Sequence, residues 1–360
     1  MILTYKVKHN RDFSIELKKA RQIAKFALRT HSLSSKSVKR YQFPSAISNQ
    51  ILRKYSKSKT LKEIKRVKLT VPSQSIKLDQ ANNLITIKCL KLRLNYQFPN
   101  TFTKINQIEI GNQYAYVSIS IEDAQPIQTT NTLGVDRNTV GHCAVCAMPH
   151  NGKVIKLGKS AFHTHRKYKK IRQHLQFKNA KKKLKKMRCR EDNIIKDINH
   201  KVSKKIVQIA KQNNCTIKLE KLGGIRKGKR AQNSKKNKNG ESFKTSINTW
   251  TFYQLQTMIE YKAKICGIPV IYINPQYTSQ KCSRCGQLGN RNNKKYACTH
   301  CGHVDHADSN AAFNIANSES IIGISSITSS NDQSLTDRDV NEGNTDIPQL
   351  ETRTERTLCV

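Results

Sequence analysis

Residues 274–315 read NPQYTSQKCSRCGQLGNRNNKKYACTHCGHVDHADSNAAFNI. Two Cys-X-X-Cys knuckles, Cys282/Cys285 and Cys298/Cys301, stand 12 residues apart, and each is followed by a glycine, Gly286 and Gly302. A tight turn closed by glycine lets two thiolates and nearby backbone N–H groups converge on one ion. Two such turns complete a tetrahedral zinc site. His303 and His306 could each replace a thiolate, but four cysteines suffice. Directly after the knuckles comes Asp308-Ser309-Asn310-Ala311-Ala312-Phe313-Asn314-Ile315. An acid followed by small residues suits a helix N-terminus packed closely on a sheet. Two readings of Asp308 fit that position, a helix N-cap and a functional carboxylate.

The 360 residues leave room for two or three domains, and a hydrophobic content of 36% supports a core spread over small units. The formal net charge is +42, unevenly distributed. Residues 317–360 hold eight acids and three bases, so the first 316 carry 63 bases and 16 acids. Such a surplus repels itself unless a polyanion neutralises it, which points to nucleic acid. An anionic membrane fits less well, because no basic helix with bulky apolar anchors is apparent. No apolar run approaches transmembrane length, and the opening MILTYKVKHN is too short and polar for a signal peptide. Eleven cysteines, seven of them scattered outside the knuckles, suit a reducing compartment.

Taken in order, residues 1–10 alternate as a strand. Residues 12–32 carry Phe13, Ile15, Leu17, Ala20, Ile23, Ala24 and Leu28 at helical spacing. Residues 34–58 read as two further basic helices broken near Phe43-Pro44. Residues 67–71 read as a short strand, 75–96 as a hairpin turning at Asn82-Asn83, and 105–121 as a second hairpin turning at Gly111-Asn112. The first 125 residues are thus a basic α+β unit. Residues 131–148 are two apolar strands with Asp136 in the first. Cys143 and Cys146 lie in that apolar run and read as strand packing. Residues 163–212 form a very basic helical hairpin, with seven Lys/Arg in 180–190. His163-Thr164-His165 has the spacing of a metal-binding pair, but its middle residue is not bulky and apolar and it opens a basic helix. Residues 215–219 are a strand ending at Glu220, which reads either as a metal ligand or as a surface acid paired with Lys221. Residues 225–243 read as a Lys/Asn/Gly-rich loop. Residues 246–266 read as an amphipathic helix with Trp250, Tyr253, Leu255, Ile259, Ala263 and Ile265, and Trp250 reads as core rather than as a stacking platform. A strand at 267–273 leads into the knuckles. After Ala316 the periodicity ends and the chain reads as a disordered tail.

The run Tyr277-Thr278-Ser279-Gln280-Lys281-Cys282, the double knuckle and the Asp-X-Asn-Ala-Ala-X-Asn-Ile ending together resemble the C-terminal region of TnpB, the transposon-associated RNA-guided nucleases related to type V CRISPR effectors. Asp136 matches the first acid of that pattern, Glu220 with Leu222 its Glu-X-Leu, and residues 250–263 its Trp-X-Phe-X-Gln-Leu helix. Arg137 and Lys221 depart from the residues common in relatives. The resemblance spans roughly residues 130–316 in motifs, and only pattern and basicity before that. It implies a wedge β-barrel with a helical recognition insert at about 12–65, within a first domain at 1–125. An α/β RNase H-like (RuvC) nuclease domain would follow at 126–316, with a zinc ribbon inserted at 278–304 and the tail at 317–360.

Under that resemblance Asp136, Glu220 and Asp308 would be catalytic and hold magnesium, with Asp308 preferred to Asp305 because it stands two residues before Asn310-Ala311-Ala312. Cys282, Cys285, Cys298 and Cys301 would hold structural zinc. The expected partners are a guide RNA from the transposon end, double-stranded target DNA beside a short flanking motif, and a separate transposase of the same element. The expected setting is cytoplasmic and nucleoid-associated in a prokaryote, without a membrane. Three other readings compete: a catalytically silent RNA-guided DNA binder, a transposase or its accessory protein, and a zinc-ribbon transcription factor. The last leaves Asp136 and Glu220 without a role.

Overall fold

The computed structural model describes residues 1–222, apart from 59, 60, 62, 65, 100 and 139, together with 252–319 and 349–351. The loop expected at 225–243 and Trp250 lie outside the described residues. Contacts divide the chain into two compact units, one of Met1–Glu122 together with the C-terminal stretch from Asn331, the other starting at Asp123 and ending at Ser330.

In the first unit the alternation of the opening residues forms β1 (Ile2–Lys8), which buries Leu3 and Tyr5. Two helices follow, α1 (Ser14–Thr30) and α2 (Ser45–Ser56), with a 3₁₀ turn at Ser35–Tyr41 between them. Pro44 stands just before α2, where its fixed φ and missing N–H suit a helix start. On α1 the buried stripe is Ala20, Ile23, Ala24 and Ala27. Ile15 is expected to share it but is exposed, because it sits about 140° round the helix from Ala20 and about 120° from Ala27.

The strands β2 (Leu69–Pro72), β3 (Lys77–Asp79), β4 (Leu84–Ile87), β5 (Leu92–Asn95), β6 (Lys104–Ile110) and β7 (Tyr114–Ser120) complete the unit. One sheet has the order β1-β7-β6-β2, all antiparallel, so both helices are an insertion between its first and last strands. The expected hairpin at 75–96 is instead a three-stranded meander, β3-β4-β5. A 3₁₀ turn at Lys88–Leu90, closed by Lys91 at φ +47°, splits its second arm.

The second unit is built on β8 (Asn131–Arg137), β9 (Ala144–Met148) and β10 (Lys153–Leu157), an antiparallel meander. The helices α3 (Lys159–Phe177) and α4 (Lys181–Gln212) then cross to β11 (Cys215–Glu220), which runs parallel to β8 on its other side. The first half of α4 has no apolar stripe. From Ile195 on, α4 buries Ile195, Val202, Ile206, Ile209 and Ala210 at helical spacing. A further helix, α5 (Phe252–Ile265), leads to β12 (Val270–Ile273), parallel to β11. Tyr253 departs from the expected apolar face and is exposed, since the buried stripe runs through Leu255, Met258, Ile259 and Ala263.

The sheet order is β10-β9-β8-β11-β12. Chain connections leave β8 toward one edge and β11 toward the other, so the strand order reverses between them. Such a switch point, outside the carboxyl ends of the strands, is where open α/β sheets hold ligands. One face of the sheet packs Leu133, Val135, Cys146, Ile217 and Leu219 against α4 and α5. Cys146 is fully buried in that layer, the structural role expected of it.

The ribbon follows as β13 (Asn290–Asn292), β14 (Lys295–Ala297) and β15 (Val304–His306), and runs into α6 (Ala307–Asn317). After residue 319 only Gln349–Glu351 are described, and they form β16, which pairs in parallel with β1 of the first unit. That strand departs from the featureless tail expected after Ala316. Among the described residues no helix is long and apolar enough to cross a membrane.

Candidate active site and metal centre

Asp136 and Glu220 close adjacent strands. The last recorded pair between β8 and β11 is Val135 with Leu219, so the next residue on each strand is one of these acids, on strands about 4.8 Å apart. Period-2 alternation fixes their face. Leu133, Val135, Ile217 and Leu219 pack toward α4 and α5, so Asp136 and Glu220 point to the opposite side, which α6 covers. Asp308 enters from that helix. Burial pushes the Asp136 carboxyl up to about 7, and the charges of Glu220 and Asp308 add to the rise. Burial likewise raises Glu220. All three side chains are largely out of solvent. Asp305, the alternative third acid, instead lies on β15 and accepts from the His306 backbone N–H at 2.6 Å.

Each acid has a support. Asn138 donates to Asp136 Oδ2 at 2.8 Å, and Thr278 donates to Glu220 Oε1 at 2.5 Å. Asp308 is paired with Arg291 at 3.3 Å and Lys294 at 2.5 Å, both from the β13–β14 hairpin. It is not an N-cap: His306 holds that position, its Nδ1 accepting from the Asp308 N–H at 3.3 Å, and Asp308 stands in the first turn of α6. A carboxylate there is favoured by the helix dipole. Arg137 turns to the other side of the sheet. It donates to Gln256 Oε1 at 2.7 Å and to the Glu220 carbonyl at 2.5 Å, so this departure from the TnpB pattern buttresses the strand ends.

The Asn-Ala-Ala-X-Asn run has a mechanical explanation. Ala312 packs with Val145 and Ala147 on the sheet. Asn310 accepts from the Ser283 N–H at 2.8 Å and donates to the Lys281 carbonyl at 2.7 Å. Asn314, one turn later, donates to the carbonyls of Thr278 and Lys281. One helix therefore seats the first knuckle, the sheet and Asp308 together. Lys218 closes its other end, donating to the carbonyls of Ala316 and Ser318 at 2.8 and 2.7 Å. Thr278, Arg291, Lys294 and Gly134 carry no site signal of their own in the sequence, although the first three lie in the stretch 274–315.

The four cysteine sulfurs lie within 4.8 Å of one another, with Cys282–Cys301 and Cys285–Cys298 both at 3.6 Å. Zinc–thiolate bonds of about 2.3 Å in a tetrahedron give sulfur–sulfur edges of about 3.8 Å, whereas a disulfide needs about 2.05 Å. The set fits one zinc ion. The knuckles are near copies. Gly286 and Gly302 take φ of +76° and +69° and donate back to the Cys282 and Cys298 carbonyls at 2.9 and 3.1 Å. Backbone N–H groups, that of Cys301 foremost, hold the Cys298 thiol down to about 6, toward the thiolate that binds metal. His303 and His306 are not in the four-sulfur set. The other His motif is also accounted for: His165 meets buried Glu191 at 2.9 Å, and Arg172 pairs with the same carboxylate, joining α3 to α4.

A pH dependence follows from the raised acid. An unfolded aspartate titrates near 3.9, and Asp136 near 7. Between those values the folded chain keeps a proton that the unfolded chain has lost. Stability therefore falls as pH rises from about 4 through about 7, by a few kcal/mol in all. Melting in magnesium-free buffer across that range is expected to show the decline. Asp136→Asn should reduce it, leaving the smaller decline that comes from the raised Glu220, and added magnesium should restore stability most at the higher pH.

The chain is similar to several known proteins. Residues 252–315 match the family model for the Cas12f1-like TNB domain. The TnpB-like protein MJ0751 of Methanocaldococcus jannaschii is 31% identical over 186 residues, 51% of this chain and 57% of that protein. The CRISPR-associated endodeoxyribonuclease Cas12f1 of Syntrophomonas palmitatica is 39% identical over 107 residues, 29% of this chain and 19% of that one. The chain is homologous to both and matches little more than half the length of the first. A Cas12f1–sgRNA–target DNA complex solved by cryo-EM aligns with 88% of the chain and 99% of its own at 19% identity and a TM-score of 0.43.

Proposed function

We propose that the protein is an RNA-guided DNA endonuclease of a transposon, cutting double-stranded DNA beside a short flanking motif. The observation that carries this reading is that Asp136 and Glu220 stand side by side on adjacent strands at the switch point of one sheet, with Asp308 near enough for its charge to act on Asp136. Homology to a TnpB-like protein and a Cas12f1 endodeoxyribonuclease supports it. The strand order supports an RNase H-like, RuvC-type domain, and the antiparallel sheet with its helical insertion suits a wedge barrel with a recognition insert. The excess of cations suits guide RNA and target DNA.

The three acids are a fit donor set for magnesium: hard carboxylate oxygens, mutually repelling and deprived of water. Bound between them, two such ions would activate the attacking water and stabilise the leaving 3′ oxygen. Asp136 and Glu220 present their oxygens from a rigid sheet, and Asp308 from a helix fixed at both ends. Thr278 and Asn138 hold the carboxylates in orientation. Arg291 and Lys294 offset the charge of Asp308 and can turn to an incoming phosphate. The cysteine cluster has no open position under a bound zinc and is structural.

The test is purification with RNA transcribed from the 3′ end of its own gene and the sequence beyond. The bound RNA is sequenced, and a plasmid with the matching target beside a randomised flank is offered with magnesium. Cutting is expected to need the match and a defined flank. Asp136→Ala should lower it by at least about 10²–10³-fold while RNA binding persists. Directed binding without any cutting by the unaltered chain would establish a silent binder instead. No bound RNA would sink the guided reading.

A further inference from the structure

Phe177 is the most exposed large apolar side chain among the described residues, at 88%. It ends α3 at the tip of the α3–α4 hairpin. The tip is a defined turn. The Ala180 N–H donates to the Leu175 carbonyl at 3.0 Å and the Asn179 N–H to the Gln176 carbonyl at 3.0 Å, with Asn179 at φ +48°. This is the Schellman arrangement, in which a left-handed residue closes the helix. The turn satisfies its own backbone and leaves the phenyl ring outside it.

The surroundings are cationic. No acid occurs from Lys159 to Arg190, and Lys178 in the turn and Lys181, Lys182, Lys183, Lys185 and Lys186 in the opening turns of α4 are all exposed. The buried anion of this hairpin, Glu191, is already paired with His165 and Arg172. A second copy of the same tip would be repelled. A single-stranded nucleic acid supplies what the tip lacks, phosphates for the ammonium groups and a flat base for the ring.

We propose that the hairpin tip binds single-stranded nucleic acid, with Phe177 stacked on an unpaired base and the flanking lysines on its phosphates. The proposal rests on the nucleic-acid part of the reading above but not on cutting.

The test uses the full chain and fluorescein-labelled 20-mers, one deoxy and one ribo, against a blunt duplex of the same sequence. Phe177→Ala is expected to weaken single-strand binding by about tenfold with the salt slope unchanged, and to leave duplex binding alone. The deoxy and ribo arms tell a DNA strand from an RNA strand. Replacing Lys181, Lys182 and Lys183 by Gln should lower the salt slope by up to about 2. Phe177→Trp should bind like the unaltered chain, and its emission should be quenched on adding strand well beyond that of Trp250 alone. Equal affinity of Phe177→Ala and the unaltered chain, or an unquenched Phe177→Trp, would overturn the proposal while guided cutting stands. Failure of the unaltered chain to bind any strand would overturn both.

Discussion

A Cys298→Ser chain is expected to purify with little zinc and to lose the fold of the ribbon together with all cutting. The apolar core of the ribbon consists of Cys282, Tyr296, Cys298 and Ala307, with Cys285 beside it. Two of those four are candidate zinc ligands, and only Tyr296 and Ala307 are left as apolar packing without the metal. Structural zinc contributes about 10–16 kcal/mol of apparent binding energy in comparably small finger peptides at pH 7, far more than this core could replace. The loss should spread. Asn310 and Asn314 hold α6 to the first knuckle, and Arg291 and Lys294 on the ribbon hairpin reach Asp308. Zinc content per chain, limited proteolysis across residues 278–317 and plasmid cutting would check this. A zinc-free variant with an intact ribbon would refute it.

The second large effect is expected at Gly134, two residues before Asp136. A Cβ built there would lie 2.1 Å from the Ala312 carbonyl oxygen, 2.5 Å from the Ala316 nitrogen and 2.9 Å from the Ala316 Cβ. Two of the three contacts are helix backbone, so no side chain can move aside; α6 itself must shift. Overpacking of this kind costs about 1–3 kcal/mol. A displacement of about 1 Å between reacting groups costs on the order of 10²-fold in rate. Gly134→Ala is therefore expected to lower the melting temperature by several degrees and cutting by about 10²-fold, with Gly134→Val worse. Zinc content and RNA binding should stay as they are. Unchanged cutting in Gly134→Ala would show that α6 is not held where its contacts place it.

These two sites differ in how far the sequence announces them. Paired Cys-X-X-Cys knuckles with trailing glycines are readable because four ligands at local spacing define their own geometry. Strand and helix positions are also legible in sequence: β8 and β11 from short apolar runs, which suit strands buried on both faces, and the later half of α4 from helical spacing. The convergence of Asp136, Glu220 and Asp308 was reached through resemblance to TnpB, since composition and spacing do not bring together residues 84 and 88 positions apart. Gly134 was passed over because nothing local says that a helix from the far end of the chain will rest on it. Thr278, Arg291 and Lys294 fall in the same class: polar residues in a polar stretch, given a role only by what the fold sets opposite them. β16 left no trace because its pairing is main-chain hydrogen bonding, which demands no side-chain pattern.

The order in which the acids occur along the chain has a consequence for biosynthesis. Asp136 and Glu220 emerge from the ribosome well before the ribbon and α6. A growing chain can form the β8–β9–β10 meander and add β11, yet the third carboxylate and the helix that seats it do not exist until residue 308 has been made and cleared the exit tunnel. A partly made or prematurely ended chain can thus display its basic surfaces to nucleic acid while lacking a complete acid cluster. Under the proposed function, the surfaces that would hold a strand are therefore made before the acid cluster that would sever it is complete.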